Sequence, residues 1–482
     1  MKDFDQNSCT NLCRKYKILS TFTIAKFYTL AYLFSLQYGI FLAGTRNKMN
    51  NLIQLLASLF FLVLLTCATT FSAEVVIVTS FPKDLFDTYQ TEFEAKHQDI
   101  KLVFRSKKTS AAVTYIRETA TKPNSDIFWA SAVDAFALLK KEDLLARYTP
   151  PGELLDQTAK TIGDYPIHDP DSYFFGFALS GYGMMWNNEY MQAYQLPFPK
   201  EWIDLTNPIY HNHLSMCSPS RSGTTHLTVE SILQGHGWQK GWALLLQMAG
   251  NMTVITERSF GVPQGIASGE FGIGVVVDFF GLSAISSGQP VGFVYPSITP
   301  MVPANIALIK GSPNTNAAQK FIDFVISRTG QNLLFTDSIS RLPIIPDLYD
   351  QAPDGFPNPF QTKKSVPFDA DLSQRRYEVL NSLFDWFITF RLQELQRAWK
   401  AIYKAEEKLD KKRSRGKNVE QIEAKLDEAK QLVSRLPINE NLVSSIEFSQ
   451  NWSESSNKYQ QKWDEQAKSN YNLAKKIAKS IK

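Results

Sequence analysis

Val75-Val76-Ile77-Val78-Thr79-Ser80-Phe81-Pro82 decides the fold. A β-branched run stops at a hydroxylated turn, and residues 85–93 then carry apolar side chains at helical spacing with charges on the outer face. β-Branched residues suit a pleated strand, and Pro82 presets the turn that ends it. The alternation continues outward: strand over 100–104, helix over 111–119, strand over 126–129, helix over 133–139. Alternating strands and helices predict an α/β fold whose parallel sheet is covered on both faces. In such sheets a ligand sits at the carboxyl ends of the strands. Here those ends are Thr79-Ser80, the basic and hydroxylated residues 105–110, and Ala130-Ser131-Ala132.

After a proline-rich acidic connection over 150–170, a strand over 173–179 runs into Ser180-Gly181-Tyr182-Gly183 and on through residues 184–188. A run of this kind crosses from one lobe to another, with Tyr182 lining the hinge. Trp202-Ile203-Asp204-Leu205 opens a second region that repeats the alternation. Its first strand, ending at Cys217, hands over to Ser218-Pro219-Ser220-Arg221-Ser222-Gly223-Thr224-Thr225 and a helix. Hydroxyls, free backbone N–H groups and a cation meet there at a helix N-terminus, the makings of an anion cradle. The same residue types also serve as plain helix capping. A strand over 272–277 ends on Asp278, residues 304–309 read as a return strand, and a helix over 317–326 packs back.

The chain has 482 residues, 44% hydrophobic and 20% charged, with a formal net charge of +4. That is ordinary globular composition with room for large cores, and no basic stripe interleaved with aromatics calls for nucleic acid. Arg46-Asn47-Lys48-Met49 leads into an apolar run over 52–65 and then small and polar residues up to Ala73, the pattern of a secretory signal peptide that starts at Met49 and is cut after Ala73. Cys67 loosely fits a lipidation site. Residues 1–48 hold a second apolar stretch that reads as a membrane anchor or as translated upstream sequence; redundancy with the adjacent signal favours the latter. Of four cysteines, Cys217 alone follows the cut, so a disulfide framework or multi-cysteine metal site is not expected. It ends an apolar run and reads as packing.

These features together resemble a bacterial extracellular solute-binding protein, the periplasmic receptor of an ABC-type importer. The resemblance rests on the export signal, Thr79-Ser80-Phe81, Asp126-Ile127-Phe128-Trp129-Ala130-Ser131, Trp202-Ile203-Asp204-Leu205, the 220–225 loop and Gly269-Glu270-Phe271-Gly272-Ile273-Gly274. It spans roughly residues 74–349. Within the family the chain looks most like the branch of phosphoglycerate transport regulators and their hexose-phosphate and phosphonate-binding relatives, to which Asp385-Trp386-Phe387-Ile388-Thr389-Phe390-Arg391-Leu392 also points. The resemblance implies a two-lobed, hinged type II fold: first lobe 74–180, second lobe 181–303, return 304–350. It implies a receptor without catalysis or cofactor, in the periplasm, that presents a small phosphorylated organic acid to an inner-membrane permease or sensor kinase. Ferric-ion binders of the same family hold the metal with adjacent tyrosines; here the corresponding place reads Asp278-Phe279-Phe280, which offers no phenolate. Ferric binding is the alternative.

For a phosphorylated acid, Arg221 would clamp phosphate, with Ser220, Ser222, Thr224 and the Gly223 N–H completing the cradle. Ser80 and Ser131 would close from the first lobe, or cap helices. Arg258 would meet a carboxylate, or pair with Glu257 or Glu270. Asp278 would accept from a ligand hydroxyl, or serve as an N-cap or a buried partner for arginine. Lys107 and Lys108 would steer anions. His211 and His213 lack a third zinc ligand, Gly181-Tyr182-Gly183 is too short for a nucleotide fingerprint, and no nucleophile, base and acid group together. Past a proline-rich linker, residues 351–482 form a helical extension of three patterns. The first is capped by Asp371, Gly416 separates it from the second, and Pro437 stops the second. Their aromatic stripes read as intramolecular core in an appended hairpin.

Overall fold

The computed structural model describes residues 73–361, 367–416 and 418–481. The export-signal, anchor and lipidation readings of residues 1–72 lie outside the described residues.

The quoted run forms β1 (Ala73–Thr79), in which Val75, Ile77 and Val78 are wholly buried. It pairs in parallel with β2 (Ile100–Ser106) and β3 (Ile127–Ala130). A two-strand ribbon follows, β4 (Thr161–Ile162) and β5 (Tyr165–Pro166). β6 (Phe175–Ser180) completes its course in the first sheet, and after Gly181 alone β7 (Tyr182–Asn187) belongs to a second. That second sheet also holds β8 (Leu214–Cys217), β9 (Met252–Thr256), β10 (Ile273–Val277) and β11 (Val291–Val294), in the order β11-β7-β10-β8-β9. β12 (Val302–Leu308) and β13 (Leu342–Pro343) return to the first, ordered β13-β6-β12-β3-β1-β2. The first sheet is therefore mixed where a parallel one was expected. β12 pairs antiparallel with β3 and β6, because it re-enters directly from the other lobe and no crossover helix turns the chain round.

Among the described residues, two chain segments run directly between the two sheets, Gly181 and residues 295–301. Asp278 ties them together: its carboxylate accepts from the Gly181 N–H at 2.7 Å, the Phe279 N–H at 2.8 Å and the Tyr295 hydroxyl at 3.0 Å. Thr299 adds a second clasp, its hydroxyl accepting from Tyr182 N at 3.0 Å and donating to Tyr182 O at 2.8 Å. A side chain on Gly181 would run into Met301 and Tyr295, so only glycine lets the two crossings lie this close. Burial pushes Asp278 up from 3.8 to about 7, against the opposing pull of its donors and Arg341. At this group stability falls as pH rises through that window, where the folded protein keeps a proton the unfolded chain has released.

The carboxy-terminal helices are not an appendage. They run Ala370–Phe384, a π turn at Asp385–Thr389, Leu392–Arg413, Glu420–Ser434 and Trp452–Ser480, with two short helices before the last. Asp369, not Asp371, caps the first: it is the residue in extended conformation, and its side chain accepts from Leu372 N at 2.8 Å. Trp399, Ile402 and Trp463 share one core with Trp242 and Leu245 of the second lobe. Trp399 lies on Gly250, and Tyr403 donates to Thr206 O at 3.3 Å. The second lobe thus exists as a folded body with these helices against it, each large buried side chain contributing about 1.5–3 kcal/mol.

A buried polar junction joins all three parts. Asp134 in the first-lobe helix Val133–Lys141 lies 3.0 Å from Nε2 of His226 in the second-lobe helix Gly223–His236, both wholly buried. Ser373 of the first carboxy-terminal helix donates to Asp134 at 3.1 Å, and Asn381 meets His226 Nδ1 at 2.8 Å. Burial alone would lower the His226 pKa, but the Asp134 carboxylate, with Glu230 and Asn381, outweighs it and the net direction is up. Stability from this imidazolium is complete below its unfolded value of 6.5 and is lost as pH rises through the higher folded value. Replacing His226 or Asp134 by alanine leaves the partner buried and unpaired and is expected to cost about 3–5 kcal/mol. Urea midpoints measure this, and the double variant costs far less than the sum; strict additivity would refute the coupling.

Candidate functional site

The carboxyl ends of β1, β2, β3 and β8 converge on a narrow cavity between the lobes. Ser80, Lys108, Thr109 and Ser131 line it from the first lobe; Arg221, Ser222, Gly223, Thr224, Arg258 and Phe280 line it from the second. The strand-to-helix turns place them, since each strand stops where its helix begins and leaves polar groups facing the gap.

The lobes touch around this cavity. Gly223 N donates to Thr109 Oγ1 at 3.2 Å and Ser110 Oγ to Ser220 O at 2.9 Å. Glu257, on the rim and 72% exposed, bridges Lys108 of one lobe at 3.2 Å and Arg221 of the other at 2.7 Å. A Cβ at position 223 would strike Ala132 and crowd Thr109, both in the first lobe. The glycine is thus a condition of closure. The loop is also braced from behind, where Ser218 donates to Asp385 at 2.6 Å and meets Ser220 Oγ at 2.9 Å.

Seven of the nine residues expected at the site line the cavity: Ser80, Ser131, Arg221, Ser222, Gly223, Thr224 and Arg258. Two do not. Ser220 turns back to Ser218, and Asp278 is the hinge acceptor described above, its oxygens taken by Gly181, Phe279 and Tyr295. Neither Ser80 nor Ser131 caps a helix, because Pro82 and Ala132 hold the N-cap positions. The Ser131 hydroxyl is buried on the cavity wall with no hydrogen-bond partner among the described residues. Ser222 both caps its helix, accepting from Thr225 N at 3.3 Å, and meets Thr224 Oγ1 at 2.8 Å. Arg258 stacks on Phe260 with 5.2 Å to the ring centre and makes no ion pair among the described residues.

Other readings resolve quietly. Burial pushes the Cys217 thiol up to about 11, unsuited to a nucleophile. His213 bonds to Tyr190 at 2.8 Å and His211 to Gly250 O at 3.1 Å, and no group of three metal-ligating side chains occurs among the described residues.

The residue not foreseen is Arg341. It comes from the loop before β13, is 1% exposed, and lines a wider cavity that shares Phe81, Arg258, Phe279 and Phe280 with the first. Nothing in its Ser340-Arg341-Leu342-Pro343 context marks it out, since the return strand that brings it to the cleft is two residues long.

Two α/β lobes closed over a hydroxylated and cationic cavity at the strand ends define a two-lobed solute-binding receptor. The chain belongs to the bacterial extracellular solute-binding protein family, which matches residues 122–362. It is 30% identical over 346 residues to the phosphoglycerate transport regulatory protein PgtC of Salmonella typhimurium, covering 70% of this chain and 83% of that one. Its fold matches the fructose-6-phosphate-bound periplasmic binding protein AfuA of Actinobacillus pleuropneumoniae at TM-score 0.56 and 20% identity, over 68% and 97% of the two chains. Iron-bound HitA of Pseudomonas aeruginosa matches at TM-score 0.51 and 15% identity, over 61% and 94%.

Gly223→Ala tests closure directly. A methyl group at this position meets Ala132 across the closed lobes, and parting them there also strains the buried Asp134–His226 contact three residues on, so the melting temperature should fall. Small-angle scattering should show an open form that added ligand no longer compacts; unimpaired closure would refute the steric role.

Proposed function

We propose that this protein captures a small phosphorylated organic acid of the phosphoglycerate kind between its lobes and presents it to an inner-membrane permease or a sensor kinase. The observation that carries this is the composition of the closed cavity. Arg221, Ser222, Gly223 and Thr224 lie at the N-terminus of a 14-residue helix, opposite the orphaned Ser131 hydroxyl and beside the unpaired Arg258. A phosphoryl group takes several hydrogen bonds on its oxygens and gains from the helix dipole and a guanidinium fork. The likeness to a phosphoglycerate transport regulator and to a receptor solved with a sugar phosphate supports the same class. HitA was solved with iron bound, but ferric ion would need hard oxygen ligands, and Phe279 and Phe280 line this cavity and offer none.

Binding and closure form one equilibrium: a ligand that bridges Ser131 and the Arg221 loop stabilises the closed form by its differential affinity for it. Arg221 pairs with the exposed Glu257 at the rim, and a phosphoryl group would compete for the same guanidinium.

Calorimetric titration with 3-phosphoglycerate, 2-phosphoglycerate, phosphoenolpyruvate, glucose 6-phosphate and ferric citrate tests the reading, in parallel with Arg221→Ala. Saturable binding of a phosphorylated acid, weakened at least tenfold in the variant, is expected; a charged hydrogen bond contributes about 1.5–3 kcal/mol. Binding of ferric citrate alone, or full affinity in the variant, would overturn it.

A further inference from the structure

We propose that Arg341 forms a second anion subsite that receives the carboxylate of the bound ligand, so that the receptor selects phosphorylated acids over phosphorylated neutral compounds of the same size. The proposal rests on the phosphate reading above and adds the group that reads the other end of the ligand.

Arg341 is a guanidinium in an unusual situation. It is 1% exposed, no carboxylate lies within ion-pairing distance among the described residues, and Nε and Nη1 have no hydrogen-bond partner. An ionised side chain removed from water and left unpaired costs several kcal/mol, and natural folds rarely retain one without a use. Asp278 is near enough to act on it through space, but its oxygens are occupied by the hinge donors.

Its faces, by contrast, are well covered. Phe279 of the second lobe stacks on it at 3.4 Å and Phe81 of the first lobe at 4.6 Å. Aromatic rings at these distances stabilise a cation through their faces and accept no conventional hydrogen bond from its N–H groups, which leaves Nε and Nη1 unpaired. A planar group with two acceptor oxygens, entering in the plane of the guanidinium, is what those donors fit, and a carboxylate is such a group. A phosphoryl group has its own place at the Arg221 loop. The shared walls make the two cavities one cleft, with Arg258 lining both.

The rings also place Arg341 in both lobes at once. Phe81 comes from the turn after β1 and Phe279 from the helix after β10, so both rings are beside Arg341 only when the lobes meet. Its lining is otherwise short of anions, Asp84 being the one carboxylate on the wall of the wider cavity.

Calorimetry on the full chain compares 3-phosphoglycerate with glycerol 3-phosphate, which lacks the carboxylate, and with glycerate, which lacks the phosphate. Wild-type protein is expected to bind 3-phosphoglycerate at least tenfold more tightly than glycerol 3-phosphate. Arg341→Gln should bring 3-phosphoglycerate down to the level of glycerol 3-phosphate, whose own affinity stays within twofold, and Arg341→Lys should restore part of the difference. Arg221→Ala should weaken both phosphate compounds. Equal affinities in the wild type overturn the subsite whatever the variants do. So does a loss in Arg341→Gln shared equally by both compounds, which would mark a structural role, or no change in either. If the wild type binds neither phosphate compound, the phosphate reading falls and the subsite falls with it.

Discussion

Asp134 and His226 meet where burial is complete, and the molecule is arranged about that contact. One belongs to the first lobe, the other to the helix that carries the anion loop, and Ser373 and Asn381 close the set from the carboxy-terminal region. A buried pair of this kind is costly to form and costlier to break by halves. It fixes how the Gly223–His236 helix is rolled, and therefore which way Arg221, Ser222 and Thr224 point. The same helix begins at the cleft and ends under the core shared with Trp238 and Trp242. The packing that stabilises the second lobe and the chemistry of the cavity are thus two ends of one rod.

Around that contact the molecule separates its polar work by depth. The hinge uses Asp278 and Thr299, both buried, to hold two crossings at a fixed spacing. The cleft uses cations and hydroxyls held by light contacts, Lys108 and Arg221 by the exposed Glu257 and Ser222 by Thr224. A braced backing layer, Asp385 to Ser218 to Ser220, keeps the loop in shape. Preorganisation of this sort lets ligand affinity go into selection rather than into ordering the loop.

The strands and helices of both lobes were legible because strand and helix periods differ and each turn carries its own residues. The cradle was legible for the same reason: Ser222, Gly223 and Thr224 are neighbours in sequence. Sequence alone misplaced Ser220 and Asp278 because the direction of a side chain at a turn depends on the partner behind it, here Ser218 for one and the hinge N–H groups for the other. Arg341 was invisible since its meaning comes from Phe81 and Phe279, which lie some 260 and 62 residues away along the chain. The carboxy-terminal stripes showed that these helices bury something, but an amphipathic face is silent on whose surface covers it. Trp399 finds the second lobe's Gly250, and that makes an apparent extension part of the lobe.

Glu257 joins the lobes at the mouth of the cleft by charge alone. It sits at the rim, mostly in water, and with a single carboxylate it grips a lysine from one lobe and an arginine from the other. Such a contact is weak and sensitive to salt. It is a clasp rather than a lock, and its hold on the two lobes loosens as ionic strength rises.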